Sequence, residues 1–280
     1  MNPLRASAAR HCGRADEDSA WFTAGVTDPV AVDDLVEVLH RAVDEVVVAL
    51  ADHDDWAPMK GRPELHPSDL VADRAAVSIL HAAGLRVLSE ESGMDEGSGL
   101  IAVLDPLDGS TNAARDIPWY ATSVCVVDDD GPLVAVVHDH AGGIRFDARR
   151  NGGARRDGIE LASRAGVSLA DAIVGINDVP PGHGGWYQFR ALGAVALDLC
   201  AVADGRLDGY VDFAVDEHGV WDYLGAALVC SEVGVGVVDA SGRDLVVIDH
   251  SARRVPVAAP EPLLTELLAM RSALIDVELS

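Results

Sequence analysis

Lysine is almost missing from this 280-residue chain: Lys60 is the only one, and every other basic side chain is Arg. In all, 46 acidic residues face 21 basic ones, a formal charge of −25. That balance argues against non-specific binding to nucleic-acid polymers or anionic membrane surfaces. It also repels phosphorylated small molecules unless cations occupy the acidic clusters. Aromatic residues make up 5%, and much of the 49% hydrophobic content is Ala and Val. No apolar run approaches the ~18–20 residues of a membrane helix. Met1-Asn2-Pro3-Leu4-Arg5 leads into mixed polar sequence with no visible secretory signal, so a cytoplasmic location is expected. Cys12, Cys125, Cys200 and Cys230 lie far apart and match no zinc spacing. They read as inert thiols of a reducing compartment.

What is present is enough sequence for a large core, as one big domain or two fused halves. Residues 1–30 show no clean period and read as an N-terminal extension. Leu35, Val38, Leu39, Ala42, Val43 and Val46 recur at helical spacing, predicting a first helix over 31–51. A Pro- and Asp-rich loop over 52–68 precedes a second helix, 69–83, expected to aim Asp73 at the site. Strands follow near 86–89 and 100–105, then a short helix from about 111. Residues 121–148 read as an antiparallel meander, with Asp128-Asp129-Asp130-Gly131 as a solvated hairpin turn. His138-Asp139-His140 ends a strand with no third ligand nearby and reads as structural or exposed.

The second half alternates strands (172–176, 186–190, 207–212, 234–238, 254–258) with helices (193–203, 222–233, 261–274). The halves are drawn at 31–165 and 166–280. Blocks of strands and helices in this order predict a layered α+β or α/β fold.

Residues 105–112, Asp105-Pro106-Leu107-Asp108-Gly109-Ser110-Thr111-Asn112, carry the most chemistry. They follow the apolar run Leu100–Leu104, a buried strand that delivers two carboxylates three residues apart into a turn, with Pro106 expected to stop ladder bonding. Gly109-Ser110-Thr111 adds a flexible backbone, hydroxyls and free amides that suit a phosphate. An ordinary surface turn explains such a stretch taken alone. Two further acidic signals favour chemistry. Glu90 and Glu91 follow a second short strand, and Trp221-Asp222 opens an apolar helical pattern. Carboxylates for a hard cation beside amides for an oxyanion are the elements of metal-assisted phosphate chemistry.

With Asp69-Leu70-Val71-Ala72-Asp73, Ser89-Glu90-Glu91-Ser92 and Leu192-Gly193-Ala194-Val195-Ala196, these motifs resemble the inositol monophosphatase family of Mg²⁺-dependent, lithium-sensitive phosphatases. The likeness covers roughly residues 33–270, and Leu107 and Ser110 also resemble the related fructose bisphosphatases. The resemblance implies an αβαβα sandwich, a homodimer and two or three Mg²⁺ ions. It implies Glu90, Asp105, the Leu107 carbonyl, Asp108 and Asp222 as metal ligands. Asp73 and Ser110 match the pair that helps orient the attacking water, with Glu90 also steering it. Asp108, Gly109, Ser110, Thr111, Gly193, Ala194 and Asp212 match substrate contacts. Relatives often place a basic residue where Lys60 stands, but Lys60 reads first as an ordinary solvated loop residue and stays outside the site.

A phosphate monoester is dianionic and repels hydroxide, so its hydrolysis needs charge neutralisation and a positioned nucleophile. The expected partner is a small phosphorylated metabolite: an inositol, cyclitol or sugar monophosphate. Relatives that prefer inositol phosphates carry a hydroxyl where Ala194 stands, and a helix they insert before Gly193 is replaced here by a Gly/Pro loop. A nucleotide is the alternative substrate, with Trp186 and Tyr187 as stacking candidates. A metal-binding regulator with little catalysis is the alternative of another class.

Overall fold

The computed structural model describes residues 29–57 and 66–278. The N-terminal extension up to residue 28, Cys12 and the Lys60 loop lie outside the described residues. Helix α1 (Pro29–Ala51) buries Val36, Leu39, Val43, Val46 and Leu50, spaced by three or four along one stripe. Helix α2 (Pro67–Ala82) starts two residues earlier than its pattern suggested. Pro67 suits the first helical turn, and Asp69 at the third position accepts the His66 N–H at 3.2 Å, closing a capping box.

An eight-stranded sheet follows: β1 (Arg86–Ser89), β2 (Gly93–Met94), β3 (Ile101–Asp108), β4 (Ala121–Asp128), β5 (Gly131–Asp139), β6 (Ile144–Arg149), β7 (Gly153–Arg156) and β8 (Ile159–Glu160). Its spatial order is β2-β1-β3-β4-β5-β6-β7-β8, with β1 and β3 parallel and every other pair antiparallel. The short helix α3 (Ser110–Ala113) follows β3 directly. The second sheet holds β9 (Ile173–Asn177), β10 (Gln188–Arg190), β11 (Gly209–Asp212), β12 (Gly236–Asp239) and β13 (Pro256–Ala259), in the order β10-β9-β11-β13-β12. Helices α4 (Val195–Asp204), α5 (Val220–Glu232) and α6 (Leu263–Glu278) complete the chain.

Contacts between these elements give five layers. Helices α1 and α2 cover one face of the large sheet; α4 and α5 lie between the sheets; α6 covers the outer face of the small one. The middle layer explains why α4 and α5 are apolar all round, with nearly every residue buried. This is the αβαβα sandwich. Cys125, Cys200 and Cys230 are free and buried, and no helix among the described residues is long and apolar enough to cross a membrane.

Three local expectations need correction. Pro106 does not end the ladder: β3 continues to Asp108 across an irregularity, Asp105 opposing Ser123 and Asp108 opposing Ala121. Three steps on β3 match two on β4, the signature of a bulge with one extra residue. Side chains three apart on a regular strand point to opposite faces, so the extra residue turns Asp108 back toward the side of Asp105. Second, Asp128 is not a solvated turn residue. It is buried and bound by two Arg150 nitrogens at 2.5 and 2.8 Å, while Asp129 and Asp130 are exposed. Third, Trp186 offers no stacking face. It is 3% exposed, packed against Phe189 and Phe213, whereas Tyr187 is exposed. His138 is buried. His140 contacts Thr122 Oγ1 at 2.8 Å, and that hydroxyl donates to the Pro106 carbonyl, so this pair buttresses the β3 turn.

Candidate active site

Three segments meet at the C-terminal ends of β1 and β3. Strand β1 ends at Ser89 and hands Glu90 to the site; β3 brings Asp105 and, through its bulge, Asp108; the first turn of α5 brings Asp222. One carboxylate oxygen each of Glu90, Asp105 and Asp222 lies within 4.8 Å of the others. Asp108 stands beside them with one oxygen already engaged: Oδ2 accepts the Ala196 N–H at 2.7 Å. Because Ala194, the residue before α4, offers no side-chain cap, Asp108 caps that helix from the other sheet. Asp105 Oδ1 accepts the Leu107 N–H at 3.0 Å, which fixes the turn that carries the Leu107 carbonyl.

The electrostatics describe a site built for positive charge. Burial first, then the negative charges of Glu90, Asp108 and Asp222, holds Asp105 well above the usual carboxylate range; the Leu107 amide opposes this. Asp108 is raised likewise by burial and Asp222, against the Ala196 amide. Glu90, at the exposed mouth, is pushed upward by loss of hydration at its carboxyl and then by Asp222, Glu91, Asp108 and Asp69. Every donor here is oxygen, the set that a hard divalent cation takes, and such a cation would relieve this repulsion.

The acid beside Ser110 is Asp69, not Asp73. Asp69 hydrogen-bonds Ser110 and adds its charge to that felt by Glu90. Burial raises its pKa to about 6, against bonds from the His66 amide, Ser68 and Ser110. Asp73, one turn further along α2, is buried against the floor of the site. It accepts the Ser89 hydroxyl at 2.5 Å and the Ser92 hydroxyl at 3.1 Å. The helix start explains the shift: with Pro67 opening α2, its first turn is the end that faces the acidic cluster.

The Gly109–Ser110 turn, expected to cradle a phosphate, is tightly defined. Gly109 has φ +81°, and a Cβ there would meet the Trp119 carbonyl at 3.0 Å and the Ala194 methyl at 3.1 Å. Asn112 Nδ2 donates to the carbonyls of Trp119 and Leu192, both at 2.8 Å, tying α3 to the loop that carries Gly193 and Ala194. Thr111 is exposed and Ala194 buried.

Asp212 does not face a substrate. It is fully buried, accepting Ala214 N–H at 2.8 Å and Asn177 Nδ2 at 3.1 Å, and its second oxygen pairs with His218 Nε2 at 3.2 Å. His218 Nδ1 in turn lies 3.2 Å from Asp222 Oδ2. Burial alone would lower the His218 pKa; Asp212 and Asp222 raise it to about 10. His250 Nε2 contacts the Glu90 carbonyl at 2.9 Å, with its ring tilted against Trp221, centroids 4.7 Å apart, and Arg253 over that same indole. Sequence reasoning passed over Asp69, Asn112, His218 and His250. A capping-box reading of Pro67-Ser68-Asp69 would have found the first, and the four-residue spacing to Asp222 the third.

Fold and site together define a phosphoric monoester hydrolase of the layered sugar-phosphatase type. The chain belongs to the inositol monophosphatase family, whose model matches residues 67–275. It is 30% identical over 210 residues to fructose-1,6-bisphosphatase of Pyrococcus furiosus, covering 72% of this chain and 81% of that one. It is 32% identical over 201 residues to inositol-1-monophosphatase of Mesorhizobium japonicum, covering 63% and 74%. The fold matches that of inositol monophosphatase-II from Staphylococcus aureus with a TM-score of 0.71 at 21% identity, over 87% of this chain and 97% of that one.

Proposed function

We propose that this chain is a Mg²⁺-dependent phosphatase of a small phosphate monoester of the inositol, cyclitol or sugar class. The observation that carries the reading is the convergence of Glu90, Asp105 and Asp222 within 4.8 Å, beside the Gly109–Ser110 cradle. Glu90, Asp105, Asp108, Asp222 and the Leu107 carbonyl would hold two or three ions. When bound, the cations supply charge neutralisation of the phosphoryl oxygens and a lowered pKa for water. The protein's own groups do the rest. Ser110 donates its hydroxyl proton to Asp69, which leaves the Oγ lone pair free to accept from the attacking water and fix its direction. The amides of Gly109 and Ser110 bind phosphate oxygens, held in place by Asn112. Ala194 brings no hydroxyl and Asp212 is committed to His218, so neither supports recognition of an inositol ring in particular. The buried Trp186 gives a nucleobase no platform.

The test is phosphate release from a panel: inositol 1-phosphate, fructose 1,6-bisphosphate, glycerol phosphates and adenosine 3′,5′-bisphosphate. Each is run with and without Mg²⁺, on wild type and Asp108→Asn. Release from polyol or sugar esters that requires Mg²⁺ and falls ~10²–10⁴-fold in the variant is expected. Activity confined to the nucleotide refutes the substrate class. Metal binding without release from any ester points to the regulator and refutes the enzyme.

A further inference from the structure

The Asn177–Asp212–His218 chain, which ends on Asp222, has no assigned part in the chemistry, yet its members are tied into the fold. Asp212 is anchored beyond its side chain: its backbone carbonyl accepts from Arg271 Nε at 2.5 Å, and Arg271 Nη2 reaches the Ala214 carbonyl at 2.8 Å. His218 is clamped at its backbone by a bridge to Arg254, with N–H···O distances of 3.1 and 2.8 Å in the two directions. Its ring nitrogens then face two carboxylates, Nε2 toward Asp212 Oδ2 and Nδ1 toward Asp222 Oδ2, each at 3.2 Å. A ring paired with a carboxylate at each edge, hydrogen-bonded to Asp222 and bridged at its backbone, gives Asp222 a fixed partner to conform to.

We propose that His218 is a positioning residue for the metal centre, steadied by Asp212: it holds Oδ2 of Asp222 so that this carboxylate meets the cation in one orientation. The inference rests on the phosphatase reading only for the presence of a divalent cation at Glu90, Asp105 and Asp222. The physical basis is general. Groups that hold a ligand side chain in place typically change metal affinity 10–100-fold when removed. Fixing one oxygen also removes rotational freedom that binding would otherwise have to freeze.

The ring offers a direct test, because its two nitrogens have different isosteres. The amide nitrogen of Asn falls near Nδ1, and that of Gln near Nε2. Mn²⁺ binding to the purified full chain, followed by the electron spin resonance of the free ion, needs no turnover. His218→Ala should weaken Mn²⁺ binding ~10–100-fold. His218→Asn, which can still donate to Asp222, should retain most of the affinity; His218→Gln, which reaches Asp212 instead, should fall with His218→Ala. Asp212→Asn leaves the imidazole in place but loosens it, and should lose less than His218→Ala. A thermal melt of each variant establishes that it is folded; if His218→Ala is not, the Asn/Gln ranking and Asp212→Asn decide. A structural filler would alter melting temperature without ranking Asn above Gln. Folded variants that bind Mn²⁺ as well as wild type, or more tightly, overturn the proposal, as does Gln outperforming Asn. Wild type that binds Mn²⁺ but hydrolyses no ester would sink the phosphatase reading and leave this one standing; wild type that binds no Mn²⁺ sinks both.

Discussion

Asp69 and Asp73 sit one turn apart on α2, and the structure gives them different work, which mutation can separate. Asp69 hydrogen-bonds Ser110, whereas Asp73 holds the hydroxyls of Ser89 and Ser92. If Asp69 and Ser110 orient the attacking water as a unit, removing either should cost about 10²–10³ in kcat, or ~3–4 kcal/mol of barrier. Asp69→Asn, Ser110→Ala and the double variant should then be alike within a few-fold, because groups acting as a unit are not additive. Asp73→Ala should instead leave the buried Ser89 hydroxyl without its acceptor, Ser92 being exposed to water, costing ~1–3 kcal/mol of stability with kcat nearly unchanged well below the melting temperature. The pH profile adds an independent check. The Asp69 carboxyl must be ionised to accept the Ser110 proton, so activity should rise with pH through a limb at or below about 6, bound cations only favouring the ionised form. Initial-rate kinetics at saturating Mg²⁺ together with urea melts decide the matter. A loss of kcat in Asp73→Ala matched by an indifferent Asp69→Asn would refute the assignment.

Other consequences follow from the same geometry. Because Asp105, Asp108 and Glu90 hold protons above the usual carboxylate range, Mg²⁺ binding near pH 7 should expel about one proton or more; calorimetry in buffers of different ionisation enthalpy measures it, and no buffer dependence would contradict the picture. Gly109→Ala forces a side chain into a left-handed conformation against the Trp119 carbonyl, which should cost ~1–2 kcal/mol from the backbone alone and reduce kcat at least ~10-fold by displacing the cradle, measurable by melts and initial rates. Asp198, 2% exposed, is raised to about 7 by burial, against the Trp119 indole bond and the charges of His218 and Arg206. A folded-state pKa above the unfolded value makes stability fall as pH rises from about 4 to about 7. Asp198→Asn, which keeps an oxygen for Trp119, should therefore gain on wild type across that window by up to ~4 kcal/mol and level off above it; parallel urea melts at pH 4, 5.5 and 8 would show it.

The elements legible in the sequence were those with strong periodicity: α1, the β4–β5–β6 meander, and the apolar α4 and α5 sealed between two sheets. What escaped was decided by single residues at element boundaries. The strand pattern of Leu100–Leu104 says nothing of a bulge, since the extra residue is defined only by what Ala121 and Ser123 oppose. The start of α2 moved by two residues because Pro67 and the capping box outweigh the apolar pattern, and that shift exchanged Asp73 for Asp69. β2, β7 and β8 are too short to show a period of two. In the site, the carboxylates were visible because strand ends and a helix start announce them. His218 and Asp212 were not, because a chain of side-chain contacts linking β9, β11 and α5 leaves no local trace.

Asp108 also fastens the two sheets together. One of its oxygens belongs to the first turn of α4, which lies against the small sheet, while its backbone belongs to the large sheet. A carboxylate beside the acidic cluster is thus also a rivet through the middle layer, and whatever fills that cluster is felt at the end of a helix buried on every side. Loading and emptying the site should therefore be audible in the middle layer, as a change in how readily the first amides of α4 exchange their hydrogens with water.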